Sequence, residues 1–173
     1  VKVTLPDSIT KIGENAFKNC CDLETVNIPN SVVIVGEHAF AYCDELKEIT
    51  LPASLKRIEQ SAFAGCNALT SITIPGSVEN IGTSAFFNCN SLETVVITDG
   101  VKTIGGSAFD ACGKLTEVVI PETVTFIDGY AFGRTPSLVY VLLPNSLEEM
   151  HDDSFNANTI LLVYEDSYAH TFA

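Results

Sequence analysis

Basic side chains are scarce in this sequence. Its 173 residues hold nine Lys or Arg against 22 Asp or Glu, for a formal net charge of −13 and an isoelectric point near 4.4. Nucleic acid and anionic membranes reward Lys and Arg, so charge argues against both as partners. The acidity reads either as a soluble, self-repelling surface or as a specific acidic docking face. Long apolar runs are also missing. No stretch reaches the roughly 18–20 residues of a membrane span, so direct membrane insertion is not expected. No linker or low-complexity segment interrupts the chain, and residues 1–173 read as one domain. A secretion signal is absent too. The chain opens on Val1, in what reads as the end of a repeat (Val3 matches Val26, Leu5 matches Ile28), so a piece of a longer protein is expected and the missing signal says little about location.

Catalytic signatures are the next lack. His38, His151 and His170 are scattered, and none sits in H-E-x-x-H. Gly105-Gly106-Ser107 is a local form of the repeat, not a nucleophile elbow. One acidic knot stands out, Glu148, Glu149, His151, Asp152 and Asp153. Its spacing is not that of an EF-hand loop, and a solvated capping surface is the default reading against a Ca²⁺ site. No catalytic, cofactor-binding or metal-binding residue is assigned, and the chain is not read as an enzyme.

What is present is a period. Ala-Phe recurs every 23 residues at Ala16-Phe17, Ala39-Phe40, Ala62-Phe63, Ala85-Phe86, Ala108-Phe109 and Ala131-Phe132, then fades to Ser154-Phe155. No insertion or deletion is evident, and such a period means stacked supersecondary units. Seven turns align from Leu5, Ile28, Leu51, Ile74, Ile97, Ile120 and Leu143; Pro follows in all but the fifth, where Thr98 stands. Ser or Thr comes two places later, except at Gly100. Val26-Asn27-Ile28 alternates with the period of a half-buried strand, and Pro29 ends it. Val32 to Val35 is a second extended piece. Gly36, like Gly13, Gly82 and Gly105, is expected to permit a positive-φ corner, although Glu59, Asp128 and His151 stand at the same position. Ala-Phe-x-x-Cys has the spacing of one helical or 3₁₀ turn with Phe directed inward. About eight of 23 positions point inward, and only stacking can bury them. The expected fold is an α/β repeat solenoid of about seven 23-residue turns, mainly parallel strands with short helical or 3₁₀ turns.

The Ala-Phe-x-x-Cys-x-x-Leu core and the Ile/Leu-Pro step, for instance Ala62-Phe63, Cys66, Leu69, Ile72 and Ile74-Pro75, resemble the BspA-like class of leucine-rich repeat. The resemblance spans Val1 to about Tyr164, and the tail from there to Ala173 looks like the segment that closes such arrays. It implies a curved right-handed solenoid, at the cell surface or secreted and bacterial, with a role in adhesion or in binding a protein or glycan partner. A structural spacer that holds another domain away from the cell is the competing reading.

Five of the six cysteines share one column: Cys20, Cys43, Cys66, Cys89 and Cys112, continued by Thr135 and Asn158. Stacking puts them in an inward file where each thiol can donate to a loop carbonyl, and Asn158 suggests a polar column satisfying backbone groups. Parallel Cβ vectors disfavour bridging, so a reduced structural ladder is expected. A linear file does not converge four ligands on a metal. Cys21, on a turn, is the best candidate for a reactive thiol.

In a solenoid the outward residues of the main strand line the concave face. By alternation these are Thr25 and Asn27, Glu48 and Thr50, Ser71 and Thr73, Thr94 and Val96, Glu117 and Val119, and Tyr140 and Leu142. The face turns from polar to apolar at Val96, so Val96, Val119, Tyr140 and Leu142 are the candidate partner site, with Tyr140 as anchor. Two readings compete with it. Such residues suit any strand surface, or the closing tail folds over them. The cap is placed at about 165–173, with Tyr168 and Phe172 over the last turn; the N-terminal edge has no such cover, and weak self-association through it is expected.

Overall fold

The two extended pieces of each repeat become two files of parallel strands in the computed structural model, which describes the backbone of residues 1–172 and side chains through Thr171. The first file holds the longer strands: Lys2–Thr4, Thr25–Asn27, Glu48–Ile49, Ser71–Ile74, Thr94–Ile97, Glu117–Val119, Tyr140–Leu142 and Ile160–Leu162. The second holds two-residue strands: Lys11–Ile12, Ile34–Val35, Arg57–Ile58, Asn80–Ile81, Thr103–Ile104, Phe126–Ile127 and Glu149–Met150. Register follows the sequence period, as in Val3↔Val26, Ile12↔Val35 and Ile72↔Val95. The architecture is a parallel β-solenoid of about seven turns with little helix.

The files differ in continuity. The short strands form one seven-stranded sheet, whereas the long strands fall into three separate sheets. The breaks lie between Glu48–Ile49 and Ser71–Ile74, and between Glu117–Val119 and Tyr140–Leu142.

A third row of hydrogen bonds runs through the Ala-Phe corners. His38, Phe40 and Tyr42 donate their N–H groups to the carbonyls of Gln60, Ala62 and Ala64 in the following turn, at 3.0, 2.7 and 2.7 Å. The intervening N–H groups close local turns, Ala39 to Gly36 and Ala41 to His38. The corner is thus a chain of three-residue-back turns, the hydrogen-bond spacing of a 3₁₀ turn, with no run of helix. The left-handed backbone also lies elsewhere than expected. It falls at Asn15, His38, Ser61, Ser84, Ser107 and Tyr130, and again at Asn19, Tyr42, Gly65, Asn88 and Ala111. Gly13, Gly36, Gly82 and Gly105 do not have positive φ. Close approach explains three of them: a Cβ on Gly36, Gly82 or Gly105 would sit 2.9, 2.6 or 2.6 Å from the carbonyl oxygen of Ile12, Ile58 or Ile81 in the turn before.

Inside, the rings of Phe17, Phe40, Phe63, Phe86, Phe109, Phe132 and Phe155 stack in one column, with successive centroids 5.0–5.2 Å apart and planes within 10°. That is offset parallel stacking. The five from Phe40 to Phe132 are fully buried, as are Leu46, Leu69, Leu92 and Leu115 beside them. Burial of these rings and of the aliphatic side chains around them favours the stacking of one turn on the next. A hydroxyl after the proline step ties several turns together as well, although Ser31 Oγ is buried without a hydrogen-bond partner among the described residues. Ser54, Ser77, Thr123 and Ser146 donate to the carbonyls of Val32, Leu55, Val101 and Val124 at 2.6–2.9 Å. Where the pattern lapses, Thr98 uses the N–H that proline would lack, donating it and its hydroxyl to Ile74 O at 3.1 and 2.9 Å. Gly100 then takes φ 118° and donates to Thr123 Oγ1.

The last turn is shorter than expected. Phe155 keeps the register and stacks on Phe132, but Tyr140 pairs with Ile160 and Leu142 with Leu162, an offset of 20 residues, not 23. Asn158 is exposed, bonding through its N–H to Asn156 Oδ1, and does not continue the cysteine column. The tail ends in a helix, Tyr168–Phe172. Ser167 caps it by accepting the His170 N–H at 3.0 Å, and Ala169 is buried. The expected role of the Phe172 side chain lies outside the described residues.

Candidate functional site

Strand alternation puts Val95, Val118 and Val141 toward the interior and their neighbours on the outer face. On that face Val119, Tyr140 and Leu142 are 45%, 63% and 50% exposed. Val96 is only half-buried surface, flanked by its register partners Thr73 and Val119. Ile160 and Leu162, 58% and 44% exposed, extend the strip by one more turn. Sequence alignment missed this pair because it carried the 23-residue offset past Phe155; the run Ile160-Leu161-Leu162-Val163 was the available signal. Among the described residues the tail does not cover the strip, whose side chains stay exposed.

The strip contains one of the two breaks in the long-strand file. Between Glu117–Val119 and Tyr140–Leu142 a groove of about 330 Å³ opens, lined by Thr116 to Val119 and Tyr140 to Leu142. A smaller groove of about 250 Å³ marks the other break, at Ile49 to Leu51, Ser71 to Thr73 and Pro75, where the exposed side chains are polar. Electrostatics separate the two halves of the face. At the N-terminal half Lys47 Nζ lies 3.7 Å from Glu24 Oε2. The segments 93–101, 116–124, 139–147 and 159–167 carry Glu93, Asp99, Glu117, Glu122, Glu165 and Asp166 and no Lys or Arg.

The cysteine file is built from hydrogen bonds. Cys43, Cys66, Cys89 and Cys112 are buried and free, donating through Sγ to the carbonyls of Phe17, Phe40, Phe63 and Phe86 at 3.1–3.3 Å. Burial pushes the Cys43 thiol up to about 12 and raises the other three as well, so these are neutral donors. Cys20 shares the column but is exposed. Thr135 bonds within its own turn, to Phe132 O at 2.8 Å. Cys21 is exposed, yet desolvation of its sulfur and the Asp44 carboxylate raise its pKa. An activated thiol needs the opposite.

Sequence reasoning did not find the ion pair of Asp110 and Arg134. Asp110 is buried and accepts from Arg134 Nε, Nη2 and backbone N–H at 3.0, 2.8 and 2.9 Å, while the guanidinium lies 5.6 Å from the Phe87 ring centre. Burial pushes the Asp110 carboxyl up, but the Arg134 bonds outweigh it and leave the pKa lowered. It clamps neighbouring corners where the cysteine column ends. In the acidic knot, His151 Nε2 is 3.7 Å from Asp128 Oδ1. Among the described residues no group of three or more His, Cys, Asp or Glu is placed to hold a metal ion, and no helix is long and apolar enough to cross a membrane.

Stacked parallel turns around a phenylalanine column define a leucine-rich-repeat solenoid. The BspA-type leucine-rich repeat region matches in six copies over residues 1–112 and 34–162, and the chain belongs to that family. Among solved structures it is similar to a leucine-rich repeat protein of T. pallidum, at 31% identity and a TM-score of 0.79, over 94% of this chain and 73% of that one. A leucine-rich cell surface protein of Faecalibacterium prausnitzii A2-165 matches at 29% identity and 0.79 over 96% of this chain. A leucine-rich repeat protein of Bacteroides ovatus matches at 29% and 0.70 over 94%. The chain spans about half the length of these last two, 48% and 51%. A search of curated proteins finds no match.

Proposed function

We propose that this solenoid is a non-catalytic binding module, secreted or held at a bacterial cell surface, that engages a protein or glycan through the C-terminal half of its long-strand face. The observation that carries this reading is the contiguous exposed strip of Val119, Tyr140, Leu142, Ile160 and Leu162. A buried core has no need of those side chains, and large exposed apolar patches mark interaction surfaces. Location rests on the likeness to the Faecalibacterium surface protein.

A spacer needs no such strip, which separates the two readings. The test is binding of the chain to arrays of matrix proteins and mucosal glycans, alongside the double variant Tyr140→Ser/Leu142→Ser. Binding that the variant loses, with its melting temperature kept, supports the module. Indifference of every interaction to the variant, or no binding at all, favours the spacer.

A further inference from the structure

We infer that the strip docks an amphipathic protein segment that brings an arginine to the step between Glu117 and Tyr140. This rests on the binding-module reading and names its partner class. Three observations converge on that step. First, the long-strand ladder is broken there, and the groove of about 330 Å³ opens between the two strands. Second, Glu117 and Tyr140 occupy the same outward column in successive turns, and both are exposed. The Glu117 carboxylate has no hydrogen-bond or ion-pair partner among the described residues, nor has the Tyr140 hydroxyl. Third, the strip is rimmed by carboxylates with no Lys or Arg in its own segments, whereas Glu24 at the other end of the face has Lys47.

An apolar strip with an unmatched acidic rim fits a partner that is apolar in the middle and cationic at the edge. Arginine fits the step better than lysine. Its planar guanidinium can take a carboxylate in a fork while lying on an aromatic face, and it is more weakly hydrated than an ammonium. Apolar side chains two residues apart in an extended segment would meet Tyr140 and Leu142 or Ile160 and Leu162, which are spaced the same way. A neutral glycan leaves the rim unmatched, and nucleic acid or an anionic lipid is repelled by it.

Fluorescence anisotropy tests this with a short labelled peptide alternating leucine and arginine, and with versions carrying serine for leucine or lysine for arginine. The expected result is binding that weakens with salt and falls about tenfold or more in Tyr140→Ser and in Leu142→Ser, as for interface anchors. Glu117→Gln should lose several-fold for the arginine peptide and little for the lysine one. Each variant sits at an exposed position, and an unchanged thermal melt verifies its fold. The inference is overturned if the serine-for-leucine peptide binds as well as the parent, which would be undirected attraction to an acidic chain. It is overturned equally if the three variants bind like wild type or if no peptide binds. Should a glycan or matrix protein still bind through Tyr140 and Leu142 in that case, the module stands and only its partner class is wrong.

Discussion

The short-strand sheet runs unbroken through all seven of its strands, while the long-strand file is cut twice. The short file lies between two devices that demand register, the serine bonds on one side and the Ala-Phe corner with its phenylalanine column on the other. The corner ties each turn to the next by groups that repeat with little variation, and the hydroxyls of Ser54, Ser77, Thr123 and Ser146 add bonds at four turns. The outer side chains of the long file answer to no such demand. They change from Asn27 and Thr50 to Leu142 and Leu162 without disturbing what lies beneath. The difference teaches that the groups holding the turns in register lie on one side of the coil and leave the outer side of the long file free to vary.

The largest effect should come from the constrained side. Phe86→Ala empties a site between Phe63 and Phe109 and is expected to cost about 3–5 kcal/mol in denaturant melts. Lys102→Ala, an exposed site in the same region, should stay within about 0.5 kcal/mol. Comparable losses at both would erase the distinction between inside and outside.

Gly105→Val should cost about 1–3 kcal/mol, because the new Cβ would meet Ile81 O at 2.6 Å in a packed corner. Gly13→Val has nothing within 4 Å and should cost far less, which separates close approach from backbone conformation as the reason for the column. Cys89→Ala removes the Sγ donor to the Phe63 carbonyl, which keeps the Cys66 N–H at 3.4 Å, and should cost about 0.5–1.5 kcal/mol, whereas exposed Cys21→Ala should be nearly silent.

Acid sharpens the contrast further. Asp110 has a folded pKa below its unfolded value, so its contribution is present above the ordinary carboxylate range, near about 4, and is lost as pH falls through the folded value. Arg134 is two-thirds exposed, so screening limits the pair, and Asp110→Asn should cost about 1 kcal/mol at neutral pH. The gap between variant and wild type should close in acid melts, and a gap that widened would contradict the assignment. The smallest effect belongs to the other side: Tyr140→Ser/Leu142→Ser should leave stability within about 0.5 kcal/mol.

The inward columns were legible because every turn repeats them, and the phenylalanine and cysteine positions could be placed from spacing alone. Three features were not. Left-handed backbone falls on residues as unlike as His38, Ser61 and Tyr130, so composition carries no sign of it; the visible glycines serve close approach. The shortening of the last turn hides behind Ser154-Phe155, which keeps the register just before it is lost. The two breaks in the long-strand file have no sequence mark, since the strands on either side alternate as well as those that pair. The apolar strip itself was visible from Val119 to Leu142, and its extension to Ile160 and Leu162 awaited the true offset.

Amide hydrogen exchange reads the two files side by side. The account predicts protection running continuously through the short strands from Ile34 to Ile127, with the amides of 70, 71 and 73 and of 139, 140 and 142, which face the breaks, exchanging faster than those of 93, 94 and 96 in the paired part of the long file. Equal protection across both breaks, or faster exchange in the short strands than in the long ones, would contradict it.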